Sequence, residues 1–265
     1  MSRIFVYCLF ACCLLPIVFT SCTPNNVTID NSIKKYFDEN KVQGSFALLN
    51  NGTNIFTIYN LKGYFDSSYS PGSSFDIFIA LTGLQTGQIS NDSMKINTGD
   101  KELTMIDAFH NSSVPYFQEA SRRIGQKEMQ QWLDSIYSHS VKIKTTVDSF
   151  WLDNSVKFTP DQQLGMVRKL YFNQLPFYAT YQKMTQSAML MESNSNYKLF
   201  YKIGPGVKQN GDPLVWLMGW IEENRHPYFF VLYFDTKDKK QDLQTTGRKM
   251  LKDILKQQGF FEGKM

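Results

Sequence analysis

Two β-rich stretches, one toward each end of the chain, enclose a long helical block, and no other feature restricts the fold as much. Residues 44–50 and 54–60 flank an Asn51-Gly52 pair, the signature of a hairpin. Residues 198–202, 214–222 and 228–235 are three more β-runs, separated by turns containing Gly or Pro. Between the two groups, residues 104–176 carry apolar side chains at three- and four-residue spacings: 104–109, 115–124, 127–136 and 160–175, the last with Thr159 as its N-cap. Ile33, Tyr36 and Phe37 share one side of a short helix over 31–40, Pro71-Gly72 opens a helix running to Gly87, and 248–258 closes the chain as a helix. The expected fold is α/β of the α+β type. One antiparallel five-stranded sheet, built from both chain ends and flanked by helices, holds a helical subdomain at about residues 88–195.

Composition agrees with a packed core. Of 265 residues, 42% are hydrophobic and 15% aromatic, far above what a disordered chain carries. Lys and Arg number 28 against 24 Asp and Glu, a surplus too small to indicate a nucleic-acid partner. All four cysteines (Cys8, Cys12, Cys13, Cys22) lie in the first 22 residues, so the body has neither a disulfide framework nor a thiolate zinc site. His110, His139 and His226 lack metal-ligand spacing, and no metal or cofactor is expected.

Residues 1–21 read as an export signal: Arg3, then an apolar run over 4–19, too short to span a bilayer comfortably. The run ends in Phe19-Thr20-Ser21-Cys22, which resembles a bacterial lipobox in which Cys22 is lipidated. A lone cysteine in an exported chain needs a reason, and acyl chains on Cys22 would hold the protein on a membrane face. An ordinary signal peptide with an incidental cysteine is the alternative. The expected organisation is a signal over 1–21, a tether over 22–30 and a domain over 31–265, located at the bacterial cell envelope.

Pro71-Gly72-Ser73-Ser74-Phe75-Asp76, Asn111-Ser112-Ser113-Val114-Pro115, Tyr137-Ser138-His139, Phe150-Trp151-Leu152 and Lys202-Ile203-Gly204 follow one another along the chain. Met218-Gly219-Trp220-Ile221-Glu222 then leads to Tyr228-Phe229-Phe230. This series resembles the serine β-lactamase and penicillin-binding transpeptidase-like fold, and most closely the class D β-lactamases, over roughly residues 42–258. The resemblance places Ser73 at the nucleophile and Asp76 where that family carries a catalytic lysine. Ser112 falls on the Ser-x-Val serine, with Val114 as its valine, and Tyr137 survives from Tyr-Gly-Asn. Trp151 takes the position whose indole bonds the modified lysine. Lys202 and Gly204 match Lys-Thr-Gly, with Ile203 in place of threonine, and Arg248 lies near the expected carboxylate-binding arginine.

The change at Asp76 governs the functional expectation. A serine hydroxyl is a poor nucleophile without a base to take its proton. Aspartate keeps the negative charge of a carboxylated lysine but not its reach, because i,i+3 Cβ atoms on a helix sit about 5–6 Å apart. The resemblance therefore implies an envelope-anchored class D-like protein with lost or much reduced β-lactam hydrolysis, binding a β-lactam- or peptidoglycan-like ligand in the old cleft. One alternative is an active serine hydrolase acylated at Ser73, with Asp76 through water, Ser112 or His139 taking the proton. Another is a non-catalytic interaction lipoprotein, favoured by a closed cleft around Ile203. Ser73 could also serve as nothing more than a helix N-cap.

Overall fold

The computed structural model describes residues 26–265. The elements follow the chain as β1 (Val27–Ile29), α1 (Lys34–Glu39), β2 (Gln43–Asn50), β3 (Ile55–Tyr59), α2 (Leu61–Phe65) and α3 (Asp76–Gln85). Next come β4 (Ile96–Asn97), β5 (Glu102–Leu103), α4 (Met105–Asn111), α5 (Val114–Ile124), α6 (Gln126–Tyr137), α7 (Pro160–Tyr171) and α8 (Ala179–Ala188). The chain closes with β6 (Leu190–Ser193), β7 (Tyr197–Val207), β8 (Pro213–Glu223), β9 (His226–Asp235) and α9 (Leu243–Gln257).

The main sheet has seven strands in the order β1-β3-β2-β9-β8-β7-β6, where five were expected. Both additions are short edge strands. Val27–Ile29, in the stretch expected to act as tether, pairs in parallel with β3 through Val27↔Phe56 and Ile29↔Ile58. β6 pairs with the start of β7 across an irregular register. The five expected strands form the antiparallel centre, where β2 joins β9 through Phe46↔Leu232 and so fuses the two ends of the chain.

Alternation along each strand divides the core in two. Phe46, Tyr201, Ile203, Leu217 and Phe234 face the closing helix α9, whose Met250, Leu251 and Ile254 complete that layer. Ala47, Trp216, Met218 and Tyr233 face the other way, onto α3, α5, α7 and the aromatic cluster Phe75, Phe150, Trp151 and Phe158. α3 is buried on all sides, as its sequence Asp-Ile-Phe-Ile-Ala-Leu-Thr-Gly-Leu requires.

The Asn51-Gly52 hairpin forms, with a longer loop than a two-residue turn. The Asn50 side chain accepts from the Gly52 and Thr53 amides, so an Asx turn directs the reversal. Thr159 caps α7 in a capping box with Gln162. Residues 138–159 are not helical, although they lie inside the expected helical block; α6 stops where Ser138 and His139 turn to positive φ.

Candidate active site

Ser73 sits in a 3-10 turn, Gly72–Phe75, that leads directly into α3. Gly72 is needed there for two reasons: its φ is +51°, and a Cβ would lie 2.3 Å from Pro205 O. Across the contact Gly204 is under the same constraint, since a Cβ on it would lie 2.3 Å from Ser74 N. Glycine on each side lets the turn and β7 press backbone to backbone. Gly72 meets Pro205 and Gly206 while Ser74 meets Gly204, which leaves Pro205 flanking Ser73.

The Ser73 side chain caps nothing. The turn and α3 begin at Pro71 and Phe75 with no side-chain cap, and Ser73 Oγ is buried with no hydrogen-bond partner in the protein. Its neighbour is the bonded serine: Ser74 Oγ donates to Pro71 O at 2.7 Å and accepts from Gln163 Nε2 at 2.9 Å.

Asp76 begins α3 and is wholly buried, as is Lys202 on β7. The two meet: Lys202 Nζ lies 3.0 Å from Asp76 Oδ2. At that separation attraction between the charges and hydrogen bonding both link the pair, though the ammonium's best-aligned hydrogen bonds point elsewhere. Lys202 directs its hydrogen bonds to Phe109 O at 3.0 Å and Ser112 Oγ at 2.9 Å. Ser112, held at φ 49° as the C-cap of α4, donates to Ile203 O at 2.8 Å. Three elements, α3, α4 and β7, are thus tied through one ammonium group.

Burial dominates the electrostatics. It pushes Asp76 up to about 7 despite the opposing attraction of Lys202, and it pulls Lys202 down despite Asp76. An unfolded Asp releases its proton near pH 4, so between about pH 4 and 7 the native state binds one proton more than the unfolded state. Stability from this group is therefore full below pH 4 and is lost as pH rises through about 7. In urea titrations from pH 4 to 8, the stability of the wild type relative to Asp76→Asn is expected to fall across that window and then level off. A difference independent of pH would show that Asp76 titrates normally.

The remaining expected residues surround this pair. Trp151 is buried beside Phe75 with ring centroids 6.2 Å apart, and its Nε1, like Ser73 Oγ, has no partner in the protein. Val114 is the first residue of α5, half-buried. Tyr137 packs on Phe158 at 5.0 Å and donates to Met166 Sδ at 3.8 Å. Arg248 lies on α9, next to Tyr201 on the sheet face opposite Lys202. His139 is exposed and paired with Asp134 at 2.9 Å, whereas Ser73 is buried. Cys22 lies outside the described residues. No group of three or more potential metal ligands occurs among the described residues.

Sequence reasoning missed what closes the outer edge of β7. Several of the backbone groups on that edge are met, and one donor is missing altogether. Tyr201 N donates to Met189 O, Ile203 O accepts from Ser112, Pro205 has no N–H, and Val207 O accepts from Asn154 Nδ2 at 3.0 Å. Pro205 was readable, following directly on Lys202-Ile203-Gly204; Asn154 lies in an irregular loop that carries no periodic signal.

The fold and these residues can be set beside known proteins. The family model of the penicillin binding protein transpeptidase domain matches residues 31–256. The chain belongs to that family. Among curated relatives, β-lactamase OXA-5 of Pseudomonas aeruginosa is 28% identical over 240 residues, covering 86% of this chain and 90% of its own. The regulatory protein BlaR1 of Bacillus licheniformis is 26% identical over 85% of this chain and 38% of its own length. Among solved structures, the class D β-lactamase YbXI from Nostoc superposes with a TM-score of 0.76 at 27% identity, covering 84% of this chain and 98% of that one. The mixed α/β fold, a sheet flanked by helices with a helical subdomain, is therefore the transpeptidase-family fold.

Proposed function

We propose that this transpeptidase-family chain is a non-hydrolytic, class D-like protein of the bacterial cell envelope, anchored by lipid on Cys22, with its catalytic centre turned into a buried structural ion pair. The observation that carries this reading is the full burial of Ser73, Asp76 and Lys202, with the lysine Nζ 3.0 Å from the carboxylate. A nucleophile needs a base within hydrogen-bond reach, and Ser73 Oγ has no partner in the protein. Acyl transfer also needs N–H donors aimed at the developing oxyanion. The strand residue flanking Ser73 is Pro205, which has none. Asp76, at the position where the resemblance expects the family's lysine, neutralises Lys202 instead of activating Ser73.

The names of the β-lactamase relatives support a β-lactam-like ligand, and the burial of Ser73 favours its uptake without acylation. The closed packing around Ile203 favours a second reading, an interaction protein that uses the fold as a rigid surface. Intact-mass spectrometry after prolonged incubation with a reactive penicillin tests the main claim. No adduct is expected, and Ser73→Ala should behave like the wild type. A mass increase of one antibiotic that Ser73→Ala abolishes would sink the non-hydrolytic reading in favour of an active serine enzyme. Thermal shift with the same penicillin separates the other two readings: a rise in Tm marks a ligand, and no change favours the interaction protein.

A further inference from the structure

The place where Asn26 joins the fold bears on which end of the molecule meets the membrane, an inference that rests on the anchor at Cys22. Asn26 is already part of the fold: its Nδ2 donates to Asn54 O at 3.1 Å, and its carbonyl accepts from Phe56 N at 2.8 Å. Val27 then enters the sheet beside β3. The link from Cys22 to Asn26 therefore spans at most about 14 Å when fully extended. A tether of that reach cannot carry an acyl anchor around the molecule. Asn26, to which it is joined, lies at the tip of the β2–β3 hairpin.

The surface around that tip is basic. Arg168 donates from Nε to Asn51 Oδ1 at 3.2 Å, joining the end of α7 to the hairpin tip. Lys169 is exposed beside it, and Arg225 and Lys198 are exposed where β8, β9 and β7 end on the same side. The acidic groups nearby are engaged. Glu223 is buried and accepts from the Phe261 and Met265 amides, Glu222 is half-buried against Tyr171, and Glu262 pairs with Lys264. Phe172 and Ile55 add exposed apolar surface, 40% and 45% exposed.

We propose that this end of the sheet rests on the bilayer that holds the Cys22 acyl chains, with Arg168, Lys169 and Arg225 against lipid phosphates. Exposed basic side chains are drawn to an anionic bilayer surface. The register sets what faces away. Pro205, level with Val215, Phe234 and Gly44, lies six residues along the strands from the row of Leu199, Ile221, Tyr228 and Asn50, or about 20 Å farther from the lipid.

The test uses the full chain, lipidated in a bacterial host and placed in vesicles of phosphatidylglycerol and phosphatidylcholine. Because no cysteine follows Cys22, a fluorophore can be attached at Thr53→Cys on the hairpin tip or at Lys237→Cys on the far loop. Quenching by a nitroxide headgroup lipid is then compared. Flotation is read first. A chain that does not float with vesicles lacks the anchor, which overturns the anchor reading and this inference with it. In a chain that floats, several-fold stronger quenching at position 53 than at 237 is expected. Equal or reversed quenching overturns the orientation while leaving the anchor intact. Arg168→Glu with Lys169→Glu should reduce the contrast at least twofold, and an unchanged contrast overturns the phosphate contact.

Discussion

Lys202→Met is expected to destabilise the protein by about 3–5 kcal/mol at pH 8, the usual penalty for leaving one partner of a buried ion pair uncompensated. For a domain of this size that lowers Tm on the order of 10 °C. Methionine fills much of the lysine's volume, so the loss reports charge and hydrogen bonding more than a cavity. Phe109 O and Ser112 Oγ lose their shared donor, and Asp76 is stranded beside them. The penalty should shrink at pH 5, where a carboxyl already pushed up to about 7 takes a proton and becomes neutral. Replacing both partners, Asp76→Leu with Lys202→Met, should recover most of the loss or exceed the wild type, because an apolar pair avoids desolvating two charges. Urea unfolding at both pH values checks each step. A Lys202→Met variant as stable as the wild type would mean that the pair holds nothing together.

Gly204→Ala should be nearly as damaging for a different reason. Its Cβ would sit 2.3 Å from Ser74 N and 2.7 Å from Ser74 Cβ, inside any real contact distance, and neither atom ends a flexible side chain. The strand and the serine turn must separate, at about 3 kcal/mol, the upper part of the range for overpacking a filled interior. Gly165→Ala is the matched control. It lies within α7 with nothing within 4 Å of the new methyl, and alanine in a helix interior gains about 1 kcal/mol over glycine. Chemical denaturation of the two variants should therefore move in opposite directions. A neutral Gly204→Ala would show that the turn and strand do not press together as described.

The strands and capped helices were legible because their signals are local. The Asn51-Gly52 reversal, the Thr159 capping box and the continuous apolar runs of β8 and β9 each depend on residues within a few positions of one another. β1 and β6 were not legible. Each has three or four residues and owes its strand state to the neighbour it pairs with. α8 carries few apolar residues and is fixed by bonds to the end of the preceding helix, notably Gln186 to the Leu170 carbonyl and to Asn173 Oδ1. At the site, the motifs gave the residues but not their pairing. The distance between Ser73 and Asp76 could be judged from helix geometry alone. That Lys202, far along the chain, would turn inward to Asp76 depends on how β7 docks on the serine turn, and no local pattern encodes that docking.

The fusion of the two chain ends in the central sheet bears on how the molecule comes into being. β2 finds its main partner, β9, only after nearly the whole domain has been made, with Phe46 waiting for Leu232. Pairing between such distant segments must meet a large loop-closure entropy before any contact rewards it, so folding is expected to be slow. Until then the β2–β3 hairpin presents an unpaired strand, Phe-Ala-Leu-Leu, to the surroundings. During synthesis from the N-terminus, this is the segment most in need of a chaperone's cover.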